Sequence, residues 1–203
     1  MSLPANVELT SHDLRRAVTW VAGLNFAYFF VEFAVALNID SVSLFADSVD
    51  FLEDTAVNVL ILVALGWSVR KRAVVGMLAA SILLIPGIAT LWMAWHQFDT
   101  PVVPPATSLS ATGLGALAIN MTCAFILVRF RHMEGSLTKA AFLSARNDAY
   151  ANVAIIIAGL MTALTVSHWP DLIVGLGIFA MNLDAAWEVF EEAKKEHASE
   201  ART

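Results

Sequence analysis

The stretch Val42-Ser43-Leu44-Phe45-Ala46-Asp47-Ser48-Val49-Asp50-Phe51-Leu52-Glu53-Asp54-Thr55-Ala56-Val57-Asn58-Val59-Leu60-Ile61-Leu62-Val63-Ala64 decides the reading of the whole chain. It is long and apolar enough to cross a bilayer, which takes about 20 residues of helix. Yet it carries four acids, Asp47, Asp50, Glu53 and Asp54. An Asp at the centre of a membrane helix costs roughly 2.5–3.5 kcal/mol on the insertion scale, so such residues face a cavity or a partner rather than lipid. Asp47, Asp50 and Asp54 are three and four positions apart, which at about 100° per residue puts them on one helix face. Asn58 extends that face. Glu53 lies roughly 100° off it and is expected to meet another helix, an Arg or the membrane interface.

Outward from this stretch the sequence repeats the apolar theme. With 58% hydrophobic and 15% charged residues among 203, and a mean hydropathy of +0.69, it is too apolar for an ordinary soluble domain. Six spans are expected, at 18–39, 42–67, 73–95, 109–130, 141–166 and 172–190. The fold class is therefore all-α, a polytopic membrane protein of six transmembrane helices. Residues 1–17 form a cytoplasmic N-terminal segment, 18–190 the transmembrane domain and 191–203 a short charged cytoplasmic tail. Arg15 and Arg16, Arg70 to Arg72, Arg129, Arg131 and Lys139, and Lys194, Lys195 and Arg202 all fall on alternate connections. The connections around 38–41, 96–108 and 167–171 have no Lys or Arg. Positive residues stay inside, so both termini are expected in the cytoplasm. The first span is followed by further spans rather than by a soluble domain, so it is not expected to act as a cleaved leader. Trp67, Trp92, Trp95, Trp169 and Trp187 suit interfacial anchors, and Pro86 suits a kink in the third span.

The fifth span supplies a second polar stripe of Ser144, Asp148 and Asn152, with Asn147 beside it. A short echo links the two: Asp54-x-x-x-Asn58-Val59-x-Ile61 and Asp148-x-x-x-Asn152-Val153-x-Ile155. The two spans run in opposite directions, the arrangement from which inverted-repeat transporters build central sites. Three carboxylates with Ser or Asn oxygens, on two facing helices, suit a divalent cation better than an organic molecule. Asp50, Asp54, Asp148 and Ser144 are the candidate metal-site residues; Asp47, Asn58, Asn147 and Asn152 are candidate supporting residues. Ionised together without a cation, the carboxylates would repel and lose hydration, so protons and metal compete for the same oxygens. That competition is the physical core of proton-coupled antiport. Asn25 and Glu32 on the first span are expected along the pathway, and Arg146 as a counter-ion for Glu53 or Glu32.

Other features exclude function classes. Cys123 lies in an apolar run and is expected to pack there; a single cysteine supports neither a disulfide framework nor a Cys-based metal site. His12, His96, His132, His168 and His197 avoid the helix centres. No nucleophile with a matching base is visible, so an enzyme is not expected, and no basic patch marks nucleic acid as a partner. The bland reading of the polar residues is helix association through hydrogen bonds, which gives a membrane scaffold or regulatory subunit rather than a transporter. Another reading keeps transport and changes the ion to sodium or protons alone.

Taken together, Ser41-Val42-Ser43-Leu44-Phe45-Ala46-Asp47-Ser48-x-Asp50-x-x-x-Asp54, the later Asp148-x-x-x-Asn152, and Pro170-Asp171-Leu172 leading into Ala186-Trp187 resemble the cation diffusion facilitator family. The resemblance covers nearly the whole chain. It implies that Asp50 and Asp54 on the second helix face a pair on the fifth that ends at Asp148, forming a tetrahedral site for zinc or a related metal. Where that family has His or Asp four residues before this last Asp, the chain has Ser144. A site without His is expected either to lean toward manganese, iron or cobalt or to recruit Asn147 or water as a fourth ligand. The resemblance implies efflux of a divalent metal, zinc, manganese, iron, cobalt or cadmium, as a transported substrate with no resident cofactor. It further implies a homodimer in the lipid bilayer, in the plasma membrane. It also implies a cytoplasmic domain after the sixth helix, and the chain is expected to be a short form without one.

Overall fold

The computed structural model describes residues 11–64, 87–130 and 136–200. They form α1 (Ser11–Ile39), α2 (Val42–Ala64), α3 (described over 87–99), α4 (Ala106–Leu127), α5 (Ser136–Thr165) and α6 (Trp169–Glu200), with a 3-10 turn at Val128–Phe130 after α4. No strand occurs among the described residues. The fold is the expected all-α polytopic one. Among the described residues, three helical stretches are long and apolar enough to cross a membrane by length and composition: His12–Ile39, Ala106–Phe130 and Ser144–Thr165. The sixth helix continues to Glu200, so the charged tail up to that residue extends α6 by several turns. Trp67, Pro86, the Arg70 to Arg72 connection, His132 and the side chains of Trp187 and His197 lie outside the described residues.

The α1–α2 turn is tight. Asp40 takes a left-handed conformation (φ 54°), which Asp tolerates better than most residues. Ser41 then caps α2, its Oγ accepting from the Leu44 amide at 3.2 Å. The α5–α6 turn uses Val166 at φ 50°, a strained position for a β-branched residue.

The side-chain pairings fix helix directions. Asp54 meets Ser144 and Asp47 meets Asn152, so α2 and α5 run antiparallel. Asp171 meets Ser41 to Ser43 and Asn182 meets Asp50, so α2 and α6 run parallel. Gly175 makes the latter contact close: a Cβ there would stand 2.7 Å from the Ser43 nitrogen and the Val42 carbonyl carbon. Gly113 does the same between α4 and α5, where a Cβ would sit 2.8 Å from Ile155 Cγ2.

The interior is layered. One apolar cluster, including Val18, Val21, Ile61, Cys123, Leu127 and Ala145, fills one end of the bundle. A second, including Ala36, Leu44, Val49, Leu109, Ile155 and Ile178, fills the other. Between them on α1, α2, α4 and α5 lie the buried polar side chains Asn25, Glu32, Asp47, Asp50, Asp54, Asn58, Asn120 and Asn152. The outer surface is apolar, with Trp92, Trp95, Phe125 and Leu164 largely exposed, as a lipid-facing surface requires.

Candidate metal site in the polar layer

Asp50 and Asp54 project from the middle of α2 and are buried, at 8% and 4% exposure. Ser144 of α5 donates its hydroxyl to Asp54 Oδ1 at 2.8 Å, and Asn25 of α1 donates to Asp54 Oδ2 at 3.3 Å. Asn182 of α6 donates to Asp50 Oδ1. Asp148, half-buried on α5, lies within electrostatic reach of Asp47, Asp50, Asp54 and Glu53. The four residues singled out from the sequence therefore sit in one layer, on the facing sides of α2 and α5. Among the described residues, no three His, Cys, Asp or Glu side chains stand close enough as placed to grip one ion. The Asp50 and Asp54 oxygens are instead turned toward amide and hydroxyl donors.

The supporting candidates divide. Asn152 donates to Asp47 Oδ2 at 2.6 Å and accepts from Asn120 of α4 at 3.0 Å, so Asp47 and Asn152 belong to this layer. Asn58 is buried and donates to the Asp54 carbonyl of its own helix at 2.7 Å, leaving its Oδ1 unpartnered. Asn147 does not belong: it is exposed and accepts from Arg146 at 3.3 Å. One residue of α5 turns the side chain by about 100°, enough to carry Asn147 off the face that Asp148 shares with Ser144. Arg146 is exposed as well, and it is no counter-ion for Glu32, whose oxygens have no hydrogen-bond partner. Glu53 faces a cleft of about 220 Å³ between α2, α3 and α6, lined also by Val49, Gly87, Phe179 and Asn182.

Two residues of the layer escaped the sequence reading, Asn120 and Asn182. Each is a lone amide in an apolar stretch, Ile119-Asn120-Met121 and Met181-Asn182-Leu183, and that isolation was the available signal. The histidines stay away from the layer where they are described: His96 contacts Thr100 at 3.3 Å, and His168 packs on Trp169 with ring centroids 5.2 Å apart. Cys123 is buried in the apolar cluster, its thiol donating to Asn25 Oδ1 at 3.4 Å.

At the N-terminal ends of α2 and α6, Asp171 forms a clasp. Its carboxylate accepts from Ser41 Oγ (2.7 Å), the Val42 amide (2.8 Å), the Ser43 amide (3.3 Å) and Ser43 Oγ (2.5 Å). Each free amide at the start of α2 thus gains an acceptor.

A bundle with an apolar exterior and a carboxylate layer sealed between two apolar clusters defines a multi-pass membrane protein with a polar centre. Residues 18–196 match the cation efflux transmembrane domain, and the chain belongs to that family. Among curated proteins it is similar to the zinc transporter ZitB of Yersinia pestis, with 29% identity over 75% of this chain and 53% of the relative. It is also similar to the zinc transporter ZitB of Escherichia coli (strain K12), with 23% identity over 89% of this chain and 62% of the relative. The chain thus spans a little over half the length of these relatives.

Proposed function

We propose that this chain moves a divalent transition-metal ion out of the cytoplasm in exchange for protons, with Asp50, Asp54, Asp148 and Ser144 as the mid-membrane site. The observation that carries the reading is the placement of Asp50 and Asp54 on α2, against Asp148 and Ser144 on α5, in a buried layer capped by apolar clusters at both ends. Carboxylates there need a compensating cation or protons, and a site that exchanges one for the other is an antiporter. Family membership and the zinc transporters among the similar proteins support metal as the cargo. To coordinate an ion jointly, Asp50 and Asp54 must turn away from Asn182, Asn25 and Ser144. Those amide and hydroxyl donors then stabilise the ion-free carboxylates without supplying a competing positive charge.

The proposal includes cytoplasmic termini, the transmembrane domain over 18–190 with the tail 191–203, a homodimer, and the plasma membrane as the site of action. Ser144 in place of a stronger ligand favours manganese, iron or cobalt alongside zinc. A second reading rests on the same hydrogen bonds: side chains already satisfied by amides are also what a purely structural polar core contains, as in a scaffold subunit.

Flux into proteoliposomes under an imposed pH gradient separates the two. Zinc, manganese, iron, cobalt and cadmium are offered to the wild type and to Asp54→Ala. Gradient-dependent flux of at least one metal, abolished in a folded Asp54→Ala protein, is the expected result. A folded wild type that moves none of them sinks the transport reading.

A further inference from the structure

Glu32 and Asp47 are outside the proposed grip on the ion, yet both are completely buried, at 0% exposure. Their carboxyl groups face each other across the α1–α2 contact, close enough to interact, with no donor between them. Neither Glu32 oxygen, nor Asp47 Oδ1, has a donor from any other group. The remaining oxygen, Asp47 Oδ2, is taken by Asn152, which is itself held by Asn120. Two carboxylates in contact hold acceptors only, so the contact is attractive only with a proton between them. The groups facing the pair supply no charge to replace it: Tyr28 from α1, Asp50 and Asp54 from α2, and Asp148 from α5. The Tyr28 hydroxyl is spent on the Thr112 carbonyl at 2.7 Å. Among the described residues, no third acid joins this pair to make a group that could hold a metal ion in the proton's stead.

We propose that Glu32 and Asp47 share a single proton, forming a proton site distinct from Asp50, Asp54 and Asp148. One carboxyl carries the O–H and donates to the other, and the single negative charge left on the pair is met by the Asn152 amide. The use of this site in exchange rests on the proposed function. A cation held by Asp50 and Asp54 raises the local positive charge and favours release of the shared proton to water. When the cation leaves, the same pair takes a proton back. Coupling then needs no direct competition for one set of oxygens.

The test reads the proton itself. Infrared difference spectra of the purified chain in lipid, without metal, are taken in H₂O and D₂O to isolate the carbonyl stretch of protonated carboxyl groups. The wild type is expected to show a component of this band that Glu32→Gln and Asp47→Asn each remove, and that Asp148→Asn keeps. Its absence from the folded wild type at neutral pH overturns the proposal. So does loss of different components in the two variants, which means two independent protons. A second arm measures protons released on adding zinc chloride, using a pH dye. Glu32→Gln should release one proton fewer per bound zinc and flatten the pH dependence of zinc affinity accordingly, and unchanged release overturns the coupling. Since the infrared arm needs no metal, a chain that moves no ion but shows the shared band fails the transport reading alone.

Discussion

Ser144 on α5 donates a hydrogen bond from its hydroxyl to Asp54 on α2 over 2.8 Å, joining residues 90 positions apart in the chain. This bond anchors the two polar stripes to each other, and its donor is the residue at which the chain departs from the cation diffusion facilitator pattern. A neutral hydroxyl holds Asp54 in place but offers a transition metal little.

The first prediction follows from that weakness. Ser144→His should tighten zinc binding by about tenfold or more, equivalent to about 1.4 kcal/mol, and shift selectivity away from manganese. Ser144→Ala should leave the fold intact and reduce zinc binding only modestly. Isothermal titration in detergent checks both, and a histidine variant with unchanged zinc affinity removes Ser144 from the site.

A second prediction concerns the α6 amide on Asp50. Asn182→Ala removes a part-buried donor to the buried Asp50 carboxylate, and leaving such a carboxylate unsatisfied costs about 1–3 kcal/mol. Thermal unfolding should register that loss. If the amide serves the ion-free site, zinc should recover most of the lost stability, because the ion takes over the role of the donor. An equal deficit with and without zinc makes Asn182 purely structural.

The clasp at Asp171 and the close approach at Gly175 give a third. Asp171→Ala strands two hydroxyls and two amides, and should destabilise the protein by at least about 2 kcal/mol. Gly175→Ala places a methyl 2.7 Å from backbone atoms of Val42 and Ser43, and overpacking of this kind costs about 1–3 kcal/mol. Circular dichroism melts would show the loss, and a melting point for Gly175→Ala equal to the wild type would mean that α6 can shift outward at no cost.

Much of this was legible because a bilayer imposes simple rules. Apolar length gave the helices, and the sequence placed the start of α2 at Val42 and the end of α1 at Ile39, where the structure has them. Spacing placed Asp47, Asp50 and Asp54 on one face, and all three are buried together. Periodicity names a face but not the helix it meets. Asn120 and Asn182 were therefore missed as partners of Asn152 and Asp50, and Arg146 was assigned to acids it does not touch. Asn147 shows the same limit at finer scale, since one position along α5 separates the buried side of the helix from the exposed one.

The parallel run of α2 and α6 is fastened at two heights, by Asp171 near their starts and by Asn182 on Asp50 deeper in the bundle. Two rods bolted at two points behave as one lever, whereas a single bolt leaves a pivot. An ion that draws Asp50 away from Asn182 undoes the deeper fastening and spares the clasp. The cargo would then act as a key, freeing α6 to swing about Asp171 while the site is loaded.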